Sequence, residues 1–198
     1  MWAADIPPFV PFFFAALIIA VSRSYLLRAV VGLAVPLIGG LHLWFDVDPG
    51  ITTYTTLFDF QLMPFRTDKL SLLFGYLFHI AAFIGMLYAL HIRDRIQQIS
   101  AMLYAGSALG AVFAGDLLTL FMFWEGLALT SVAFIWARRS KRSLGAGQRY
   151  LILQVLSGVL LLAGTMVIYQ KTGSLELSRN GRQLTTPRHP TRRDDATQ

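Results

Sequence analysis

Six apolar runs dominate this chain, at roughly residues 6–21, 26–44, 70–90, 97–114, 117–137 and 150–169. A helix needs about 17 to 25 apolar residues to cross the hydrocarbon of a bilayer, and each run meets or approaches that length. Backbone polar groups in lipid must be satisfied within their own segment. The runs are therefore expected to be helical despite Pro36 in the second and the glycines in the third, fourth and sixth. Composition agrees: 55% of the 198 residues are hydrophobic and 14% charged, where a soluble domain holds about a quarter charged. The expected fold is an all-α polytopic membrane protein with six transmembrane helices within residues 1–177.

The first run lacks the basic leader of a signal peptide and has Asp5 ahead of it, so it reads as a mature span. Basic residues then orient the bundle. The connections after spans one, three and five carry Arg23 and Arg28, then Arg93 and Arg95, then Arg138, Arg139, Lys141, Arg142 and Arg149. The alternate set carries Asp5, then Asp46, Asp48, Asp59 and Asp68 against Arg66 and Lys69, then Asp116. Lys and Arg accumulate on the cytoplasmic side. The expected placement is a bacterial inner (plasma) membrane, crossed several times, with the amino terminus outside.

The net charge of +6 does not call for nucleic acid, because the tail from Ser178 holds five Arg against two Asp, half of that charge. The remainder lies in loops between spans, where the membrane accounts for it. There is no cysteine, which excludes disulfides, thiolate nucleophiles and Cys-ligated metals. No metal-ligand spacing, phosphate loop, catalytic triad or internal repeat is visible. In the one long internal connection, 51-ITTYTTLFDFQLMPF-65 nearly alternates β-branched and aromatic residues with others. It suits a short hairpin or an irregular interfacial loop equally.

The polar residues inside the spans carry the functional signal. Glu125 falls within two residues of the centre of 117-LLTLFMFWEGLALTSVAFIW-136, close to the bilayer midplane. An acid there costs about 2.5 to 3.5 kcal/mol, so it is protonated, paired or wetted, and intramembrane acids usually mark an ion path. The alternative is a neutral Glu hydrogen-bonded to a neighbouring helix. His79, near the middle of span three, is a second candidate because imidazole exchanges protons near neutral pH. On span six Arg149, Gln154 and Ser157 lie toward the cytoplasmic end, with Gln154 and Ser157 three apart on one face. They suit a proton lead toward Glu125, although Gln and Ser are also ordinary interhelical hydrogen-bonding residues. Trp136 fits an interfacial aromatic belt, and Trp124, too deep for that, is expected to pack inside the bundle.

The stretch 115-GDLLTLFMFWEGLALTSVAFIWARR-139, followed by 145-GAGQRYLILQVLSGVLLLAGTMVIYQKTGSL-175, resembles the proton-conducting antiporter-like subunits of Mrp sodium/proton antiporters and of respiratory complex I. In that family an apolar helix bearing an aspartate and then Trp-Glu is followed by a basic loop, a basic-aromatic start to the next helix and a terminal TGSL. Earlier, 68-DKLSLLFGYLF-78 resembles the family's entry into its third helix. The match covers roughly 65–177, the first two spans more loosely, and the version 136-WARRSKRSLGAGQRYL-151 looks most like the D-type Mrp subunits.

The resemblance implies a proton or monovalent-cation translocating subunit. It implies a Glu125 whose ionisation is modulated by a lysine two helices further along. Arg149 matches the basic start of the sixth helix and Asp68 the acidic entry to the third. Implied partners are other membrane subunits, protons, sodium ions and the lipid bilayer. No cofactor is implied, nor any enzyme activity of the chain's own. The alternatives are the proton-pumping subunit of an NADH-quinone oxidoreductase-like complex, and a truncated module that assembles without conducting. Family members have about fourteen spans in inverted repeats, so this chain corresponds to an amino-terminal part of that fold. Its six runs contain no lysine. The tail 178–198, rich in Arg, Thr and Pro, reads as disordered and as an out-of-frame continuation.

Overall fold

In the computed structural model, which describes residues 6–57, 60–173 and 175–177, all six apolar runs are helices. The expectation for the tail 178–198 lies outside the described residues. The elements are α1 (Val10–Val21), α2 (Tyr25–Phe45), β1 (Thr52–Leu57), β2 (Phe60–Arg66), α3 (Lys69–Tyr88) with a short 3₁₀ turn Ala89–His91, α4 (Arg95–Phe113), α5 (Leu117–Ala137) and α6 (Lys141–Thr172).

Polar caps set where the helices begin. Ser24, Asp68, Asp94, Asp116 and Ser140 each accept a backbone N–H from the first turn of the helix they precede. Such a cap contributes about 1 kcal/mol. At Asp68 the cap is reciprocal: its carboxylate accepts from Ser71 N at 2.7 Å while Ser71 Oγ accepts from Asp68 N at 2.8 Å. Gly173, at φ 66°, closes α6 in the left-handed conformation that glycine adopts without a steric cost.

Two helices differ in length from their apolar runs. α1 has 12 residues, about 18 Å of helix: Pro7 and Pro8 precede it, and Pro11 sits in its first turn, where a missing N–H costs nothing. Among the described residues five helices are long and apolar enough to span a membrane, and α1 is shorter. α6, in contrast, starts at Lys141 rather than near 150, since the Ser140–Ser143 capping box nucleates it ahead of the apolar run. Its 32 residues reach about 48 Å, well beyond the ~30 Å hydrocarbon core. Lys69, Lys141 and Lys171 consequently lie on helices, but in terminal turns.

Helices α1 to α4 close on one another, α1 packing on α2 and α4, and α3 on α2 and α4. α5 then packs on α4 and α6 on α5. Phe12, Ile19, Leu43, Met102, Leu109 and Phe113 fill the middle of this bundle. Between apolar helices in lipid, close packing supplies the attraction that water would otherwise drive. α2 and α3 run antiparallel with their glycines meeting large side chains: Gly32 faces Met86, Gly39 faces His79, and Gly75 faces Leu43.

The three basic connections gather at one end of the bundle. The Tyr25 hydroxyl donates to Leu90 O, Arg93 lies 5.4 Å from the centre of the Tyr25 ring, and Arg139 approaches Asp94 at 3.7 Å. The opposite end carries the hairpin. β1 and β2 are antiparallel, so the alternating segment is a hairpin. Thr53 pairs with Phe65 and Thr55 with Leu62, leaving Tyr54 opposite both Met63 and Pro64. That is a β-bulge at a proline, which has no N–H to give the ladder.

Candidate functional site

Glu125 stands on the third turn of α5 and points at α6. Its side chain is half-buried, and Oε1 is fully enclosed with no hydrogen-bond partner among the described residues. The space it occupies exists because residue 158 is glycine. A Cβ built at Gly158 would overlap the carboxylate. An unpartnered carboxylate oxygen in a low-dielectric interior is costly in the charged form. The described residues supply it no partner, which singles this carboxyl out as the candidate site.

The residues expected to lead to Glu125 are distributed unevenly on α6. Gln154 is half-buried and lies one turn before Gly158, on the same face. Ser157 is exposed and is turned away from α5, as is Arg149, nine residues before Gly158 and so about 13 Å nearer the basic end. Neither Arg149 nor any described lysine forms an ion pair with Glu125. Asp68 is exposed at the start of α3, where it caps the helix and lies 3.7 Å from Arg66.

His79 sits in a different interface. It is 2% exposed, its Nδ1–H donates to Gly75 O at 2.7 Å, and its ring meets Phe12 edge-on with centroids 5.4 Å apart. The ring faces α2 at Gly39, with α4 packed between α3 and the Glu125 helix. The structure thus brings together Glu125 and the Gln154 face of α6, and sets His79, Arg149, Ser157 and Asp68 apart from them.

Trp124 does not pack in the bundle. It is 42% exposed on the outer surface of α5, because turning Glu125 toward α6 rotates its neighbour outward. Trp136, near the basic end, lies against Gly147 of α6, which leaves no room there for a Cβ.

Several residues around the site were not singled out from sequence. Below Glu125, Thr130 Oγ1 donates to Gly126 O at 2.8 Å and Ser131 Oγ to Leu127 O at 2.7 Å, so these hydroxyls are satisfied on their own helix. On the α4 side buried Ser107 lies against Gly126. The largest omission is Asp116, 1% exposed, which the sequence offered only as a loop acid. Its carboxylate accepts from Thr119 N at 2.8 Å, Thr119 Oγ1 at 2.6 Å and Met63 N at 2.7 Å. Gly115 N donates to Met63 O, Leu117 N to Leu175 O and Leu177 N to Gly115 O. Asp116 thereby ties the bulged hairpin strand, the start of α5 and the segment after α6 together. The bulge at Pro64 is what frees the Met63 backbone for this. The Gly115-Asp116 pair and the leucine that ends TGSL are neighbours in space, and a conjunction of acid and bulge-forming proline was the signal available.

Residues 114–189 match the family described as "NADH:quinone oxidoreductase/Mrp antiporter, TM". A putative antiporter subunit, mnhA2, of Staphylococcus haemolyticus is 31% identical over 124 residues, which is 59% of this chain and 15% of that protein. The A-type Na(+)/H(+) antiporter subunit of Alkalihalophilus pseudofirmus is 29% identical over 118 residues, 56% of this chain and 14% of that protein. Among solved structures, a chain of the membrane-bound sulfane sulfur reductase, an archaeal respiratory membrane complex, superposes with a TM-score of 0.76 at 20% identity, over 87% of this chain and 29% of that one. A chain of the Mrp complex from Dietzia sp. gives 0.73 at 23% identity, over 87% and 20%. The present chain thus spans a small part of the length of these proteins. The family match and the relatives liken this chain to antiporter-like membrane subunits, and the solved structures share its multi-helix fold. They do not separate the D-type branch expected from the sequence from the A-type that these relatives are named for.

Proposed function

We propose that this chain forms part of a proton/monovalent-cation translocating subunit of the sodium/proton antiporter type, with Glu125 as the group that takes up and releases the proton. The observation that carries this reading is the enclosed, unpartnered Glu125 Oε1 opposite Gly158, near the middle of a membrane-spanning helix. In this reading the acid alternates between carboxyl and carboxylate. A cation brought near it favours the carboxylate and the departure of its proton to water, and withdrawal of the cation restores the carboxyl. Gln154 borders the same gap from the basic end. Arg149 and Ser157 face away from α5, so they join this path only through a neighbouring helix. The exposed apolar face of α6, with Leu153, Leu156 and Leu160, is suited to receive one.

The partners in this reading are further membrane subunits in a bacterial inner membrane. The amino terminus faces out and the arginine-rich end faces the cytoplasm. The work is ion movement, and any redox chemistry coupled to it belongs to other subunits.

The test is Glu125→Gln in the full-length subunit within its native complex, with sodium/proton exchange followed in everted membrane vesicles. Exchange is expected to fall by more than about tenfold while the complex still assembles. Unchanged exchange with normal assembly overturns the assignment.

A further inference from the structure

His79 and His42 each present an enclosed, unpartnered Nε2, and both belong to the α2–α3 side of the bundle, away from Glu125. Their tautomers follow from the partners of the other ring nitrogen. Gly75 O can only accept, so His79 Nδ1 carries a hydrogen and Nε2 the lone pair. The Asp46 carboxylate, 3.1 Å from His42 Nδ1, fixes His42 in the same way. Two basic lone pairs are thus held toward the bundle interior with no donor supplied by the described residues.

The two rings address the same short stretch of α2. A Cβ at Gly39 would lie 2.7 Å from His79 Nε2, and His42 is three residues further on, one turn along that face. A cavity of about 450 Å³ between α1 and α2 is lined by Pro8, Pro11, Gly39, His42 and Asp46. His42 lines it directly, and His79 meets it only across Gly39, the lining residue against which the buried His79 Nε2 packs. No other ionisable group among the described residues is positioned to serve these nitrogens. α1 carries none. The Tyr76 hydroxyl is given to Leu43 O. Lys69 begins α3 exposed. Arg28 and Arg95 lie at the basic end, beside Tyr25 and Ala20, and Tyr104 of α4 stacks on Phe134 of α5.

We propose that His42 and His79 form a second proton-binding site, fed by water from the α1–α2 cavity and independent of Glu125. A hydronium in the cavity gives its proton to His42 Nε2, leaving water. The imidazolium is held at Nδ1 by the Asp46 carboxylate. His42 then passes the proton from Nε2 through water to the lone pair of His79 Nε2, and returns to its neutral tautomer. The two rings hold one proton between them, since a second would place two cations in one low-dielectric interface.

The experiment uses the full chain, ¹⁵N-labelled at histidine, in lipid vesicles, and reads nitrogen chemical shifts by solid-state NMR across pH. Magnetisation from water is expected to reach Nε2 of both His42 and His79. His42→Gln is expected to move the pH at which His79 Nε2 takes up its proton by about half a unit or more. A dry His79 Nε2 in the unmodified chain, or a His79 titration unaltered by His42→Gln, overturns the site. Neither readout involves ion exchange, so failure of the Glu125 assignment would leave this result standing.

Discussion

The carboxylate of Glu125 on α5 occupies the volume that the missing side chain of Gly158 leaves on α6. The pair makes the acid a property of a helix–helix interface rather than of one helix.

Gly158→Ala is expected to expel the carboxylate and cost about 1 to 3 kcal/mol through overpacking, read as a lowered Tm of the purified protein in detergent. Gly85→Ala and Gly164→Ala, where a Cβ meets nothing within 4 Å, are the controls and are expected to be neutral or slightly stabilising. The double variant Glu125→Ala with Gly158→Ala should recover much of the loss. Additive losses would show that the two residues do not share the space.

Asp116→Ala removes three accepted hydrogen bonds at a buried position and leaves Met63 N without its partner. A loss of about 2 to 4 kcal/mol is expected from the cap and the charged hydrogen bonds together. Protease cleavage in the hairpin should accelerate as β2 detaches. Asp116→Asn, which keeps an acceptor for Thr119 N, should lose less. An intact hairpin in Asp116→Ala would argue that the strand is held by other contacts.

Because the chain has no cysteine, single introduced cysteines report sidedness without background. Thr53→Cys in the hairpin and Lys141→Cys at the basic end are expected to react with a membrane-impermeant maleimide from opposite faces, the hairpin from outside. Labelling of both from one face would contradict the bundle, and the reverse pattern would invert the orientation.

Removing the His42 partner bears on stability as well as on proton binding. Asp46→Asn leaves an acceptor for His42 Nδ1 but removes its charge. Since Asp46 is half exposed, the expected loss of stability is under about 1 kcal/mol. A loss of several kcal/mol in a thermal melt would mean that Asp46 serves the fold rather than the imidazole.

The apolar helices, the gathering of arginines at alternate connections and the place of Glu125 near the middle of its helix were legible in the sequence. Hydrophobic length, loop charge and helix rise report them directly. The caps of α3 to α6 were also present as Asp or Ser ahead of each helix, but Asp116 read there as a loop acid and Asp68 as the acidic entry to the third helix rather than as a cap. Their hydrogen-bonding is local and reads as capping only once the helix start is known.

What the tertiary structure decided is direction. A helix in lipid is apolar nearly all round, so its periodicity does not mark an inward face as it does in water. Nothing in LLTLFMFWEGLAL says that Glu125 turns to α6 and Trp124 outward. Packing decided that, by placing glycines where neighbouring side chains needed room. The same limit hid the His79–Gly39 contact and the tie from Asp116 to Met63, which join residues forty and fifty-three positions apart. Sequence alone determined that this chain holds an acid near the middle of an apolar helix. The partner of that acid was fixed by which helices pack together and by which positions on them carry no side chain.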